Sequence, residues 1–164
     1  MKSRYLLLSA LFAVLLGCSD RAKEEPAPAQ TTPEKITPIF HASHEPKKQN
    51  APFSDVVQVG DTYYLAGQIG MDHSVRTLVE GGIEAETRQT LENIKAVLAQ
   101  HDLEMKDVVK AMVVLDDISD FGAFNKIYTQ YFPQKPARTT YAAEALAAGA
   151  KIEIEVVAYK QRSE

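Results

Sequence analysis

Residues 151–160 alternate between apolar and polar: Ile152, Ile154, Val156 and Ala158 fall on one side, Glu153, Glu155, Val157 and Tyr159 on the other. That two-residue period predicts a strand with one buried face. Residues 107–115 are instead almost continuously apolar and Val-rich, the pattern of a buried strand reached through a helical crossover. Between residues 83 and 100 the period lengthens. Ile83, Thr87, Leu91, Ile94 and Leu98 recur at spacings of three and four, with Glu84, Glu86, Arg88, Glu92 and Lys95 on the other sides, which predicts an amphipathic helix. A second helix is predicted over 119–132. Phe121, Phe124, Tyr128 and Tyr131 form its packing stripe, Ser119 and Asp120 serve as cap and first-turn acid, and Pro133 ends it. Residues 55–59 and 62–67 are short β-branched and aromatic runs joined by Gly60-Asp61, a spacing that fits a tight hairpin. A strand over 137–144 and a short edge strand near 77–79 complete the set.

The resulting order is strand, strand, helix, strand, helix, strand, strand. It predicts an α+β fold, one mixed sheet with two helices packed on one face. The other sheet face has nothing left in the chain to cover it, so self-association is expected; a sheet with one face in water is the alternative.

The first fifty residues follow different rules. Lys2 and Arg4 precede an apolar run from Tyr5 to Leu16, too short to span a bilayer comfortably but suited to a signal peptide over 1–17. Leu15-Leu16-Gly17-Cys18-Ser19 resembles the lipobox of bacterial lipoproteins, in which the cysteine is acylated. Cys18 is the only cysteine, so no disulfide competes for it. That reading puts the protein in the bacterial periplasm, held to a membrane through Cys18. Ser19 is compatible with the outer membrane. Residues 18–50 hold five of the eight prolines and predict a disordered tether. The domain is assigned to 51–164.

From Ala51 onward 11 Lys and Arg face 17 Asp and Glu, about six net negative charges. A nucleic-acid partner is not expected, because phosphate binding needs a concentrated basic face. Nor is a metal, since His41 and His44 have no Cys, Asp or third His close in sequence to complete a set.

Two strand-like runs carry the candidate chemistry. Lys135-Pro136-Ala137-Arg138-Thr139-Thr140-Tyr141 offers a guanidinium fork matched to a small carboxylate, and Glu153, expected on the adjoining strand, is placed to hold or deprotonate a water. A cross-strand ion pair is the plainer alternative.

Gly67-Gln68-Ile69, Asp120-Phe121 with Asn125, Pro136-Ala137-Arg138 and Lys151-Ile152-Glu153-Ile154-Glu155 occur in the order and spacing of one family. The chain resembles the reactive-intermediate deaminases, the RidA or YjgF family, over roughly residues 52–162. The resemblance implies a chorismate-mutase-like homotrimer with a central barrel and three clefts between neighbouring subunits. It implies hydrolysis of 2-imino and 2-enamino acids to 2-keto acids and ammonia, without metal or organic cofactor. Arg138 would bind the substrate carboxylate and Glu153 would activate water. Gly67, Asn125, Thr140 and Phe53 would line the substrate, with Glu155 a structural neighbour. Phe53 stands where many members have tyrosine, Ala66 where they have serine and Thr140 where they have cysteine, so substrate preference is more open than reaction type. A non-catalytic trimeric binder of small carboxylates or of a partner protein is the other reading.

Overall fold

The computed structural model describes residues 35–161. Its main sheet has six strands: β1 (Ile39–His41), β2 (Val56–Val59), β3 (Thr62–Ile69), β6 (Val108–Leu115), β7 (Ala137–Ala142) and β8 (Ile152–Tyr159). A small second sheet pairs β4 (Met71–Asp72) with β5 (Thr77–Leu78). The helices are α1 (Gly82–Ala99) and α2 (Phe121–Tyr131). This is the mixed α+β architecture expected, with strand order β1-β2-β3-β8-β6-β7. All pairs are antiparallel except β6 and β7, which run parallel because α2 carries the chain back between them.

Ile152, Ile154, Val156 and Ala158 enter the core, as the alternation of β8 requires. They meet Leu91, Ile94 and Leu98 of α1 and Phe124, Ile127 and Tyr128 of α2, so both helices cover one face. Leu91, Ile94, Leu98 and Phe124 are fully buried, each contributing about 1.5–3 kcal/mol through the area removed from water. The opposite face keeps Tyr64, Tyr141 and Tyr159 between 45% and 49% exposed.

Four expectations need correction. The sheet starts before Ala51. Residues Ile39–His41 pair antiparallel with Val56–Val59, and Asp55 N–H donates to the His41 carbonyl. The expected tether therefore does not extend to Asn50; backbone pairing, which proline-rich composition does not reveal, captures its end. The proposed signal segment and Cys18 lie outside the described residues.

Second, Glu86 is buried on α1 rather than solvated. Its Oε2 accepts from the Lys151 backbone N–H at 2.8 Å, which offsets the cost of enclosing the carboxylate. Third, α2 begins at Phe121. Asp117, not Ser119, supplies the capping oxygen, accepting from Ser119 N–H at 2.8 Å across a 3-10 turn that precedes the helix. Fourth, β7 and β8 are not neighbours, because β6 lies between them. Strand order depends on distant pairings that no local pattern encodes.

Candidate active site

Glu153 sits on the open face of β8, opposite Ile69 of β3 and Val114 of β6. It lines a cleft of about 370 Å³ together with Phe53, Gly67, Met71, Lys48 and Arg76. Gly67 lies in an irregularity of β3 between Leu65 and Gln68. A Cβ on Gly67 would overlap the Glu153 carboxylate oxygen and stand 2.9 Å from its Cδ. The missing side chain is thus the space in which the carboxylate rests, a role beyond the lining of the substrate expected from the resemblance. Ala66, beside it, brings no polar side chain to this position.

Partial burial pushes the Glu153 carboxyl above its ordinary value of 4.5, and the negative charge of Glu155 pushes it further. An acid held this way binds a proton more firmly than a surface glutamate. It can accept one from water and return it to a leaving amine.

The end of β3 beside the cleft is anchored to α1. Buried Asn93 donates to the Ile69 and Met71 carbonyls at 3.0 and 2.9 Å, fixing the end of β3 to the helix. Gly70 permits the contact, since a Cβ there would lie 2.6 Å from the Glu86 Cα.

Arg138 belongs to a different surface. It pairs with Ala111 in register, on the core side of β7, at the sheet edge beside α2. Its guanidinium carbon lies 5.6, 5.1 and 4.6 Å from the ring centres of Phe121, Phe124 and Tyr128. Nη1 donates to Asn125 Oδ1 at 2.9 Å. Three aromatic faces and one amide hold the fork in place, which lowers the cost of ordering it on a carboxylate. Arg138, Asn125, Tyr128, Lys135 and Pro136 line a second cleft of about 340 Å³. The Thr140 hydroxyl is buried and makes no hydrogen bond among the described residues.

Ala111 and Val114 of β6 point to opposite sides, and so therefore do their partners Arg138 and Glu153. Within one chain the two residues line separate clefts. The cross-strand ion pair is thereby excluded. Sequence reasoning missed Lys48, His73 and Arg76, which share the Glu153 cleft. They are scattered basic residues without a motif, and only the return of the β4–β5 turn brings them together. Among the described residues no three His, Cys, Asp or Glu side chains gather as a metal set.

The family described as Endoribonuclease L-PSP matches residues 43–160. A 2-iminobutanoate/2-iminopropanoate deaminase of Homo sapiens is 46% identical over 108 residues, spanning 65% of this chain and 79% of the human one. A RutC family protein of Pyrococcus horikoshii is 40% identical over 70% of this chain and 91% of its own. Among solved structures, a putative endoribonuclease of Thermotoga maritima superposes with a TM-score of 0.70 at 36% identity, covering 76% of this chain and 98% of its own. A Yersinia pestis member of the conserved Rid protein family superposes with a TM-score of 0.70 at 33% identity, covering 76% and 100%.

Proposed function

The chain belongs to the Endoribonuclease L-PSP family, the RidA or YjgF group, and from that premise we propose that it hydrolyses 2-imino acids to 2-keto acids and ammonia. The observation that carries the reading is the half-buried Glu153 carboxylate, seated over Gly67 in an open cleft with its proton affinity raised. The deaminase names of the similar mammalian proteins support it.

The two half-sites face opposite sides of the sheet, so a complete site needs two copies. The exposed tyrosines on the open face support assembly through it, and a cyclic trimer would place Arg138 of one copy across from Glu153 of the next. Arg138 then forks the substrate carboxylate, with Asn125 holding the guanidinium. Glu153 takes a proton from water as the water oxygen bonds to the carbon of the protonated imine, C=NH2+, and the C=N electron pair moves onto nitrogen, leaving an NH2 group. Glu153 returns that proton to the nitrogen as the C–N bond breaks and ammonia leaves, and the hydroxyl proton of the adduct departs to solvent. An imine carbon is already electrophilic, so positioning and one general base suffice. Phe53 walls the cleft without adding a polar contact.

By the lipobox-like sequence, Cys18 is proposed to carry an acyl anchor that holds the protein at a membrane outside the cytoplasm. The deaminase reading is tested with 2-iminopropanoate generated in situ by an amino-acid oxidase, following keto acid release. Wild type should accelerate release, and Glu153→Ala and Arg138→Ala should not. Equal rates for all three would leave only a carboxylate-binding role.

A further inference from the structure

The cleft that holds Glu153 also gathers positive charge. Lys48 comes from the 3-10 turn before β2, while His73 and Arg76 come from the turn between β4 and β5. Two of the three already have acidic partners. Lys48 Nζ lies 3.4 Å from Asp55 Oδ1, an ion pair at the cleft wall. His73 Nδ1 lies 2.8 Å from Glu45 Oε2, although not in hydrogen-bond alignment.

Arg76 is different. Among the described residues no carboxylate comes within ion-pair distance of it, not even Glu153 in the same cleft. It is nonetheless half-buried, so part of its solvation is already given up. Its backbone has φ +64°, the left-handed region that glycine occupies most readily. The turn would close more easily on glycine; arginine there fixes a guanidinium at the wall of the cleft.

Under the deaminase reading the substrate's α-carboxylate goes to Arg138 in the facing half-site, so Arg76 is a second guanidinium beside the base. We infer that Arg76 receives a second carboxylate, at the far end of the substrate, and that the cleft selects imines of dicarboxylic amino acids. The inference rests on the deaminase reading for the reaction, and on the Glu153 cleft alone for the ligand. A planar fork matches a carboxylate with two parallel hydrogen bonds, and Arg76 has that fork uncommitted. The cleft, about 370 Å³ and open, leaves room for a chain longer than the methyl of a three-carbon acid. The reaction is unchanged: water adds at the imine carbon, ammonia leaves, and the distal carboxylate is carried through untouched.

The test compares 2-iminoglutarate and 2-iminosuccinate with 2-iminopropanoate, each generated in situ by an oxidase. Wild type should favour the diacids in kcat/KM. Arg76→Gln should lower kcat/KM for the diacids by about 10- to 100-fold, the weight of a charge-assisted fork, while changing the monoacid less than about twofold. Arg76→Gly, which suits the turn backbone, should show the same selective loss. Equal loss on diacid and monoacid, or no loss on either, overturns the inference. Calorimetric titration of the full chain with 2-oxoglutarate and with pyruvate separates this from the deaminase reading. If no imine is turned over, the reaction fails. Tighter 2-oxoglutarate binding, lost in Arg76→Gln, would still uphold the dicarboxylate site, and equal affinities would overturn it.

Discussion

Replacing Gly67 with alanine tests the base with little else disturbed. Gly67 is not among the glycines with a left-handed backbone, so alanine meets no conformational penalty there. The new methyl would stand 2.9 Å from Glu153 Cδ and 3.0 Å from Cγ, and would overlap Oε1. Carbon contacts relax at about 3.5–4.0 Å, so Cδ and Cγ must withdraw by roughly 0.5–1 Å and the overlapping Oε1 by more. A displacement of that size at a reacting group costs about 100-fold in rate. Because the obstructing atoms end a flexible, partly exposed side chain, the loss of stability should be about 1 kcal/mol or less. Gly70→Ala is the contrasting control. Its Cβ would meet the Glu86 Cα at 2.6 Å; backbone cannot swing aside, so about 1–3 kcal/mol of stability should go instead. Steady-state kcat on in situ 2-iminopropanoate and urea unfolding midpoints measure the two effects. If Gly67→Ala keeps kcat within about threefold of wild type, Glu153 does not act from the position described.

Arg138→Lys keeps the charge but loses the fork, the aromatic stacking and the Asn125 bond, and should raise KM by about 10- to 100-fold; an unchanged KM would remove Arg138 as the carboxylate anchor. Glu153 works ionised, and its pKa is raised, first by burial and then by Glu155. Activity should therefore fall, as pH drops, at a pH above 4.5, and Glu155→Gln should move that acid limb to lower pH. A limb that stays in place or rises would refute the coupling. Full-length protein should enter the detergent phase on Triton X-114 partitioning and Cys18→Ala should stay in the aqueous phase; identical partitioning would end the lipid-anchor proposal.

Much of the fold was legible because several elements obey one period each. The alternation of 151–160 fixed which side chains of β8 enter the core, and the three-and-four spacing from Ile83 found α1. Glu86 escaped because a charge on a helix reads as solvated unless its partner, a backbone N–H sixty-five residues away, is visible. Ile39–His41 escaped because a three-residue edge strand flanked by proline has no periodicity of its own. For the candidate site, the residue types were readable and their arrangement was not. Arg138 and Glu153 lie on strands separated by β6, and their opposite facing follows from register along that strand, which no motif spacing contains. Arg76 gave no signal, since its meaning depends on a turn that folds it against Glu153.

If the proposed trimer forms, the opposite facing of Arg138 and Glu153 means that no copy completes a reaction centre alone: each would lend a cation to one neighbour and an acid to the other. A chain broken only at position 138 and a chain broken only at 153 are then mutual donors: refolded together in equal amounts, about one interface in four inherits both intact halves. Two preparations that are silent apart would regain roughly a quarter of the wild-type rate when mixed, with no chain carrying a wild-type sequence.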